Sequence, residues 1–379
     1  MSLPEPPADA LQASLALQSR IRQAILADNG WISFSRYMDL SLYTPGLGYY
    51  AGGAVKLGKD GDFTTAPEIS SLFGATLARF AADLFGGAPL NLLEFGAGTG
   101  KLASDLLNAA TDSGTKVASY QIVEVSSELR ARQQRALANY PLIEWLDAPP
   151  AAFTGLVIAN EVLDAMPVPL LVQRDGRWLE RGVALDGSDF LFVDRECEQG
   201  MASQIPAVAS LPDGYLTEIH PTQAGFLRLL GEMLLAGDGG AALMIDYGFP
   251  ASEYYLPQRS GGTLMCHYRH HAHSDPFYLP GLQDITTHID FSAMASAGLD
   301  AGLEMGFYMS QAAFLIGAGL PSLLDGQRAS NPRDWLPLSN AVQKLTSPAE
   351  MGELFKAMLL VDRIEAPANL QLLDQSYRL

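Results

Sequence analysis

The chain has 379 residues, 48% of them hydrophobic and 17% charged, which provides ample material for a core and excludes a disordered chain, a fibrous repeat or a coiled coil. Its 24 basic and 42 acidic residues give a formal net charge of −18, which argues against nucleic-acid binding and favours either a cationic partner or simple solubility. The two cysteines, Cys197 and Cys266, are too few for a disulfide framework or a cysteine-rich zinc site, so a reducing, cytoplasmic compartment is expected.

Residues 1–85 are predicted to form an N-terminal segment. The first positions carry Glu5 and Asp9 but no basic residue, which is not the pattern of a secretory signal. Apolar residues from Leu15 to Leu26 recur at helical spacing and predict a helix. Residues 40–70 are dense in glycine and aromatic side chains, and a loop of this length is more often functional than passive.

Residues 86–379 are predicted to form one α/β core. Short apolar runs alternate with stretches of helical spacing, a pattern typical of a doubly wound, mostly parallel sheet covered by helices on both faces. The predicted strands are Asn91–Phe95, Tyr120–Val125, Leu142–Leu146, Leu156–Ala159 and Ala241–Asp246, and the helices between the first three are Lys101–Asn108 and Ser127–Ala138.

An antiparallel insertion is predicted at about residues 166–236. Alternating apolar segments flank two Asp-Gly pairs, at 175–176 and 186–187, which are hairpin signals. An irregular segment rich in histidine and proline follows at about 250–290 and is expected on the substrate side.

The remaining chain is predicted to be helical near residues 291–298, 311–325 and 337–360. Its apolar stretch Ala312–Leu324 is interrupted by glycine and proline and is too short to span a bilayer. No membrane insertion is therefore expected.

The most specific motif is the run from Glu94 to Gly100, Glu-Phe-Gly-Ala-Gly-Thr-Gly, between the first strand and the first helix of the core. Such turns lie at the carboxyl end of parallel strands, where ligands bind, and glycine lets the backbone approach a ligand closely. A P-loop is excluded by Phe95 and Leu102, and a dinucleotide fingerprint would need a small residue where the chain has Lys101. The acid followed by Gly-x-Gly-x-Gly is the pattern of S-adenosylmethionine-dependent methyltransferases, with a merely tight turn as the remaining alternative.

Two acids follow the next two strands. Glu124 ends the second strand, where a carboxylate can accept both hydroxyls of a ribose, although it also precedes Ser126 and Ser127 and could serve only to cap a helix. Asp147 lies just past the third strand and is either a partner of an adenine amino group or a turn acid.

The fourth strand ends in Asn160 and Glu161, beside the predicted cofactor crevice. Glu161 and Asp164 are three residues apart, so on a helical turn their carboxylates would share a face. Paired carboxylates suit a guanidinium, which is permanently charged and donates in forks. The alternative is that these acids complement a helix dipole.

Four histidines cluster at positions 267, 270, 271 and 273. Their spacing matches no zinc-binding helix motif, and methyl transfer from a sulfonium needs no metal. We therefore expect no metal site, and a loop with one or two histidines near the substrate.

Several dispersed strings together resemble the mitochondrial complex I assembly-factor methyltransferase family, also called MidA-like, which has bacterial members. The strings are Tyr43–Tyr50, Gly61–Ser71, Leu93–Asp105, Tyr120–Gln134, Asn160–Val168, Tyr215–Ile219, Asp246–Gly248 and Gly262–Phe291. The resemblance implies a class I, Rossmann-like methyltransferase that uses S-adenosylmethionine. For the mitochondrial members it also implies symmetric dimethylation of an arginine in a complex I subunit.

On this resemblance, the predicted site has a cofactor side and an acceptor side. The cofactor side comprises Glu94, Gly96, Gly98, Gly100 and Glu124, to which their positions in the sequence add Ala97 and Asp147. The acceptor side comprises Asn160 and Glu161, to which the spacing of the acids adds Asp164. Gly48, Asp62, Phe63 and Thr64 fall on the family's N-terminal motif, which is expected to cover the pocket as a lid, with Asp62 and Thr64 near the cofactor.

The expected partner is a protein with an accessible arginine. The absence of a presequence points to a bacterial, cytoplasmic protein, whereas the eukaryotic relatives act in the mitochondrial matrix. The alternatives are a small-molecule O- or N-methyltransferase on the same fold and a cofactor-binding assembly chaperone without catalysis.

Overall fold

A computed structural model of the chain describes residues 3–52, 64–206, 211–330 and 332–379, with the backbone alone at 328–330 and 332–334. Asp62 and Phe63, two positions of the predicted lid, lie outside the described residues.

The helices cover both ends of the chain and the connections between the central strands. They are α1 (Ala8–Ala27), α2 (Phe34–Tyr43), α3 (Ala66–Ile69), α4 (Ser71–Leu84), α5 (Lys101–Ser113), α6 (Ser127–Ala136), α7 (Pro221–Leu235), α8 (Ala251–Tyr254), α9 (Phe291–Asp300), α10 (Gln311–Gly317), α11 (Leu320–Ser330), α12 (Pro332–Thr346), α13 (Met351–Leu354) and α14 (Ala368–Gln371).

The strands fall into parallel and antiparallel groups. They are β1 (Trp31–Ser33), β2 (Leu90–Phe95), β3 (Val117–Val123), β4 (Ile143–Leu146), β5 (Gly155–Asn160), β6 (Leu170–Arg174), β7 (Arg177–Asp186), β8 (Asp189–Glu196), β9 (Leu216–Glu218), β10 (Gly240–Phe249), β11 (Met265–Tyr268), β12 (His271–His273), β13 (Asp284–Thr286), β14 (Ile289–Asp290), β15 (Glu304–Ser310) and β16 (Phe355–Asp362).

The chain divides into two units. The first comprises residues 1–63, 164–224 and 249–293, and the second comprises residues 64–163, 225–248 and 294–379. Residues 64–85 and 225–236 thus group with the core rather than with the N-terminal segment and the insertion. Residues 64–85 group with the core because α4 packs closely against α5. A Cβ added at Gly74 of α4 would lie only 2.7 Å from the Cβ of Asp105 on α5.

The second unit is built on a sheet with the order β15-β16-β10-β5-β2-β3-β4. Strands β10, β5, β2, β3 and β4 are parallel, and β16 is antiparallel to both its neighbours. Strand β5 has a continuous buried apolar run, as expected for a strand covered on both faces. The predicted doubly wound α/β fold is confirmed.

The register of this sheet brings the ends of its central strands to one edge. Phe95 of β2 pairs with Val123 of β3 and with Ala159 of β5, and Asn160 pairs with Ile245 of β10. The strand order reverses at β2, and ligands of doubly wound sheets bind in the crevice that such a reversal leaves. The segments that follow these four strands therefore meet at the position where a ligand is expected.

The helix predicted near residues 337–360 is wrong over its second half. The segment forms α12 and α13 and then β16, all eight residues of which are buried between β10 and β15. Leu, Met, Ala and Lys are good helix formers, but the run is apolar without a helical period, and burial on both faces favours a strand.

The first unit contains the predicted antiparallel insertion. Its sheet has the order β1-β7-β6-β9, with β8 also paired to β7, and the described pairs are antiparallel. The predicted helix from Leu15 to Leu26 is part of α1, whose residues Leu17, Ile21 and Ile25 are fully buried. Both predicted hairpin turns are present: Asp175 and Gly176 form the first, and Gly187 begins the second directly after Asp186 ends β7, with Asp175, Gly176 and Gly187 at positive φ.

Glu218 is a fully buried acid of the first unit whose carboxylate accepts several hydrogen bonds. Its carboxylate accepts from the backbone N–H of Thr263 at 2.8 Å, from the N–H of Leu264 at 3.0 Å and from the Tyr254 hydroxyl at 2.9 Å. It thereby ties β9 to the segment that precedes β11.

Glu218→Ala is expected to destabilise the fold by about 2–5 kcal/mol, because two buried N–H groups lose their acceptor. Glu218→Gln should recover most of this loss, since an amide oxygen still accepts from both N–H groups. The measurement is the urea midpoint of each variant, with the exposed Glu196→Ala as the control. A Glu218→Ala midpoint equal to that of the control would contradict the prediction.

Candidate active site

The glycine turn between β2 and α5 adopts a backbone that side chains disfavour. Gly96, Gly98 and Gly100 have φ values of +62°, +55° and +83°, all in the left-handed region. The N–H of Gly100 donates to the carbonyl oxygen of the buried Ala97 at 2.8 Å, which closes the turn. The predicted tight turn is therefore present, and its three glycines leave no side chain over the edge of the sheet.

Glu94 lies beneath this turn in β2. It is only 3% exposed, and its carboxylate accepts from the Tyr120 hydroxyl at 2.7 Å. Burial raises the pKa of Glu94 to about 7, because desolvation outweighs the hydrogen bond from Tyr120, and the charge of Glu124 adds to the increase. Contact between Glu94 and a cofactor stays a prediction.

Glu124 follows β3 directly and is held on both carboxylate oxygens. One oxygen accepts from the N–H of Ser126 at 2.9 Å, and the other accepts from Nε2 of Gln133 at 2.8 Å. Ser126 itself is the N-cap of α6, since its hydroxyl accepts from the N–H of Leu129. Glu124 thus contacts the start of α6 and also lies beside the glycine turn, and its ribose role stays a prediction.

Gln133 is a site residue that the sequence analysis missed. It is fully buried, and its Nε2 also donates to the carbonyl oxygen of Gly98 at 3.1 Å, while its Oε1 accepts from Nε1 of Trp145 at 3.0 Å. The available signal is its position on α6, four residues after Leu129 and four before Leu137, which is the inward face of an otherwise polar helix.

Asp147 and Val125 lie near the same strand ends. The Asp147 side chain is 92% exposed and forms an ion pair with Arg130, whose guanidinium also donates to the carbonyl oxygen of Trp145. The adenine role of Asp147 stays a prediction. Val125 is 81% exposed although it is apolar, and it offers a hydrophobic surface directly beside Glu124.

Glu161 follows β5 and is held in an unusual backbone conformation. Its φ of +53° is left-handed, which is costly for a residue with a side chain and is typical of functional sites. Its N–H donates to the carbonyl oxygen of Ile245 at 2.8 Å. Its Oε1 accepts from the N–H of Ala66 at 3.1 Å and from Nδ2 of Asn160 at 3.2 Å, so two of the three predicted acceptor-side residues are in contact.

Helix α3 contacts both Glu161, which follows β5, and the glycine turn, which follows β2. The N–H of Ala66 donates to Glu161, and the carboxylate of Glu68 accepts from the Thr99 hydroxyl in the glycine turn. Thr64, a predicted lid position, is exposed and lies two residues before this helix. Helix α3, which follows Thr64, thus contacts both the glycine turn and Glu161.

The predicted helical pairing of Glu161 with Asp164 is wrong. Residues 161–166 form bends and turns instead of a helix, because Glu161 is left-handed and the N–H of Leu163 donates to the carboxylate of Asp246 at 2.9 Å. Asp164 is buried in the first unit, where its carbonyl oxygen accepts from the N–H of Thr287 at 3.1 Å. A role for Asp164 at the acceptor side stays a prediction.

The four clustered histidines belong to the hairpin of β11 and β12. Arg269 and His270 form its turn with positive φ, as two-residue hairpins require. Among the residues that the structure describes, no group of three or more His, Cys, Asp or Glu side chains could hold a metal ion. The expectation of metal-independent catalysis stays a prediction. In the described part of the chain, no helix is long and apolar enough to cross a membrane.

The chain is similar to known methyltransferases along most of its length. Residues 75–309 match a family model described as "Putative S-adenosyl-L-methionine-dependent methyltransferase". The chain is 47% identical to a Burkholderia thailandensis protein solved bound to S-adenosyl-homocysteine, with a TM-score of 0.94 and 100% of both chains covered.

Curated relatives are more distant but cover most of the chain. The mitochondrial protein arginine methyltransferase NDUFAF7 of Danio rerio is 29% identical, covering 86% of this chain and 82% of the relative. The NDUFAF7 homolog of Drosophila melanogaster is 28% identical, covering 94% of this chain and 89% of the relative. The resemblance drawn from the dispersed sequence strings is confirmed.

Proposed function

This chain belongs to the family of S-adenosyl-L-methionine-dependent methyltransferases whose model it matches, and we propose that its acceptor is an arginine side chain of a partner protein. The observation that carries the acceptor class is the Glu161 carboxylate, fixed in a strained conformation beside the glycine turn. The names of the NDUFAF7 relatives, which specify arginine methylation, support the same acceptor.

The residues around the glycine turn fit S-adenosylmethionine. Three left-handed glycines place no side chain above the turn, so a ligand can approach the backbone there. Glu124 offers a buried carboxylate for ribose hydroxyls, and the exposed Val125 offers an apolar surface for the base. A related protein bound to S-adenosyl-homocysteine, matched over its full length, supports this assignment.

Glu161 would hold the acceptor and take up a proton. When bound, S-adenosylmethionine would supply a methyl group on a cationic sulfonium, whose sulfur keeps the electron pair of the broken sulfur–methyl bond and becomes the neutral thioether of S-adenosyl-homocysteine. A protonated guanidinium is a weak nucleophile, and a carboxylate can orient one of its nitrogens by a charge-assisted hydrogen bond. As that nitrogen gains the methyl group it loses one proton, which the Glu161 carboxylate accepts.

The chain's acidic character supports a basic acceptor segment. The formal net charge of −18 attracts a positively charged peptide and should make turnover sensitive to salt. By family resemblance, the product would be a symmetric dimethylarginine on a protein related to respiratory complex I.

The acceptor can be identified by comparing cells with and without this protein. We expect mass spectrometry to show a dimethylated arginine that disappears without the protein, returns with the wild type and does not return with the Gly98→Val variant. Methyl label that appears only on small molecules would contradict the protein acceptor. A partner that is assembled normally by the Gly98→Val variant, without any label, would indicate a chaperone.

A further inference from the structure

The Gln133 side chain connects three parts of the cofactor side. Its Nε2 donates to Glu124 at 2.8 Å and to the Gly98 carbonyl oxygen at 3.1 Å, and its Oε1 accepts from the Trp145 indole at 3.0 Å. The side chain is fully buried, so these bonds are made away from water. A single amide thus hydrogen-bonds to Glu124 after β3, to the glycine turn after β2 and to Trp145 of β4.

We propose that Gln133 is a positioning residue for cofactor binding, which holds the Glu124 carboxylate and the Gly98 carbonyl group in the arrangement that S-adenosylmethionine requires. This inference rests on the proposed cofactor site at the glycine turn. Gln133 would not touch the ligand itself. It would act through Glu124 and Gly98, which its amide holds.

The orientation of the amide is determined by chemistry. An indole N–H only donates, so the atom of Gln133 that faces Trp145 must be the oxygen. The NH₂ group must then face Glu124 and Gly98, and its two hydrogens match these two acceptors. A carboxylate in the same place could accept from Trp145, but it would have no hydrogen for Glu124 unless it were protonated.

The same hydrogen bond favours the ionised form of Glu124. Burial raises the pKa of Glu124, and the hydrogen bonds from Ser126 and Gln133 lower it. On β2, Glu94 is a titratable group whose pKa is raised by the charge of Glu124. On α6, Arg130 pairs with Asp147 and Arg132 pairs with Glu128.

The sign of the pH dependence follows from these bonds. Ribose hydroxyls donate to an ionised carboxylate, so the affinity of the wild type for the cofactor product should fall as the pH falls through the pKa of Glu124. Loss of the Gln133 donor would raise this pKa further and move the loss of affinity to higher pH.

The test is calorimetric titration with S-adenosyl-homocysteine between pH 5.5 and 8.5. For Gln133→Glu we expect affinity at pH 8 to fall by about 10- to 100-fold, because two carboxylates face each other. The affinity of this variant should then rise as the pH is lowered towards about 6, because one proton bridges the pair and restores the donor. The affinity of the wild type should show no such rise, because its amide supplies the donor at every pH.

Two further variants separate positioning from folding. Gln133→Met keeps the length of the side chain without its hydrogen bonds, and should weaken binding about tenfold with no recovery at low pH. Gln134→Glu adds the same charge to the next, exposed residue of α6 and should bind as the wild type does.

Each outcome addresses one claim. A wild type that does not bind S-adenosyl-homocysteine would refute the proposed cofactor site itself. A wild type that binds, together with Gln133→Glu and Gln133→Met variants of unchanged affinity and pH profile, would overturn the role of Gln133 alone. A Gln133→Glu affinity that falls equally at every pH would also overturn it, since that result indicates a general structural defect.

Discussion

Glu161→Gln should lower the rate of methyl transfer by at least about 100-fold while changing the affinity for S-adenosyl-homocysteine by less than about twofold. The amide has the shape of the carboxylate, and its oxygen can still accept from the Ala66 N–H and the Asn160 amide. It has no charge, however, so it neither holds a guanidinium strongly nor accepts its proton.

The effect should appear in kcat, because the lost interaction is strongest as the proton leaves. The measurement is transfer of labelled methyl groups to an arginine-containing partner under saturating cofactor. Glu144→Gln is the matched control, since Glu144 is an exposed acid on β4 of the same unit. Full activity of Glu161→Gln on such a partner would refute the role of Glu161 in holding and deprotonating a guanidinium.

The residues that could be predicted from the sequence are those whose role is local. The glycine turn depends on adjacent residues, so its position and its acid, Glu94, follow from one string. Glu124 and Asn160 could be placed at the same edge because parallel strands end together. The observed register confirms that inference, since Phe95 pairs with residues of both β3 and β5.

The residues that the sequence did not reveal depend on contacts between distant segments. Gln133 looks like one more polar residue of a surface helix until α6 is packed against Glu124 and Trp145. The left-handed backbone of Glu161 depends on Ile245 and Ala66, which are far away along the chain. The sequence predicts a helix where β16 forms, because the local residues favour a helix. Pairing with β10 on one side and β15 on the other makes the segment a strand.

Gly98→Val should abolish detectable binding of S-adenosyl-homocysteine, a loss of at least about 100-fold in affinity, while leaving the chain folded. Gly98 has a φ of +55°, which a β-branched residue adopts only with strain, and at the proposed cofactor site a side chain there would hinder the approach of the ligand to the backbone. Its carbonyl group, held by Gln133, would also be displaced if the backbone relaxed to a negative φ.

Backbone strain and lost ligand approach can be separated by a glycine at the other end of α5. Gly114 ends α5 with a φ of +74°, is exposed, and a Cβ there would meet nothing within 4 Å. Gly114→Val therefore carries similar strain, about 1–2 kcal/mol, at the end of α5 away from the turn. We expect it to lower the unfolding midpoint of the protein but to bind S-adenosyl-homocysteine normally in calorimetry. If Gly114→Val lost binding as completely as Gly98→Val, strain alone would explain both, and the glycine turn would lose its assignment as the cofactor site. If instead NADH competed at micromolar concentration in the wild type, a dinucleotide would be the better ligand for the turn.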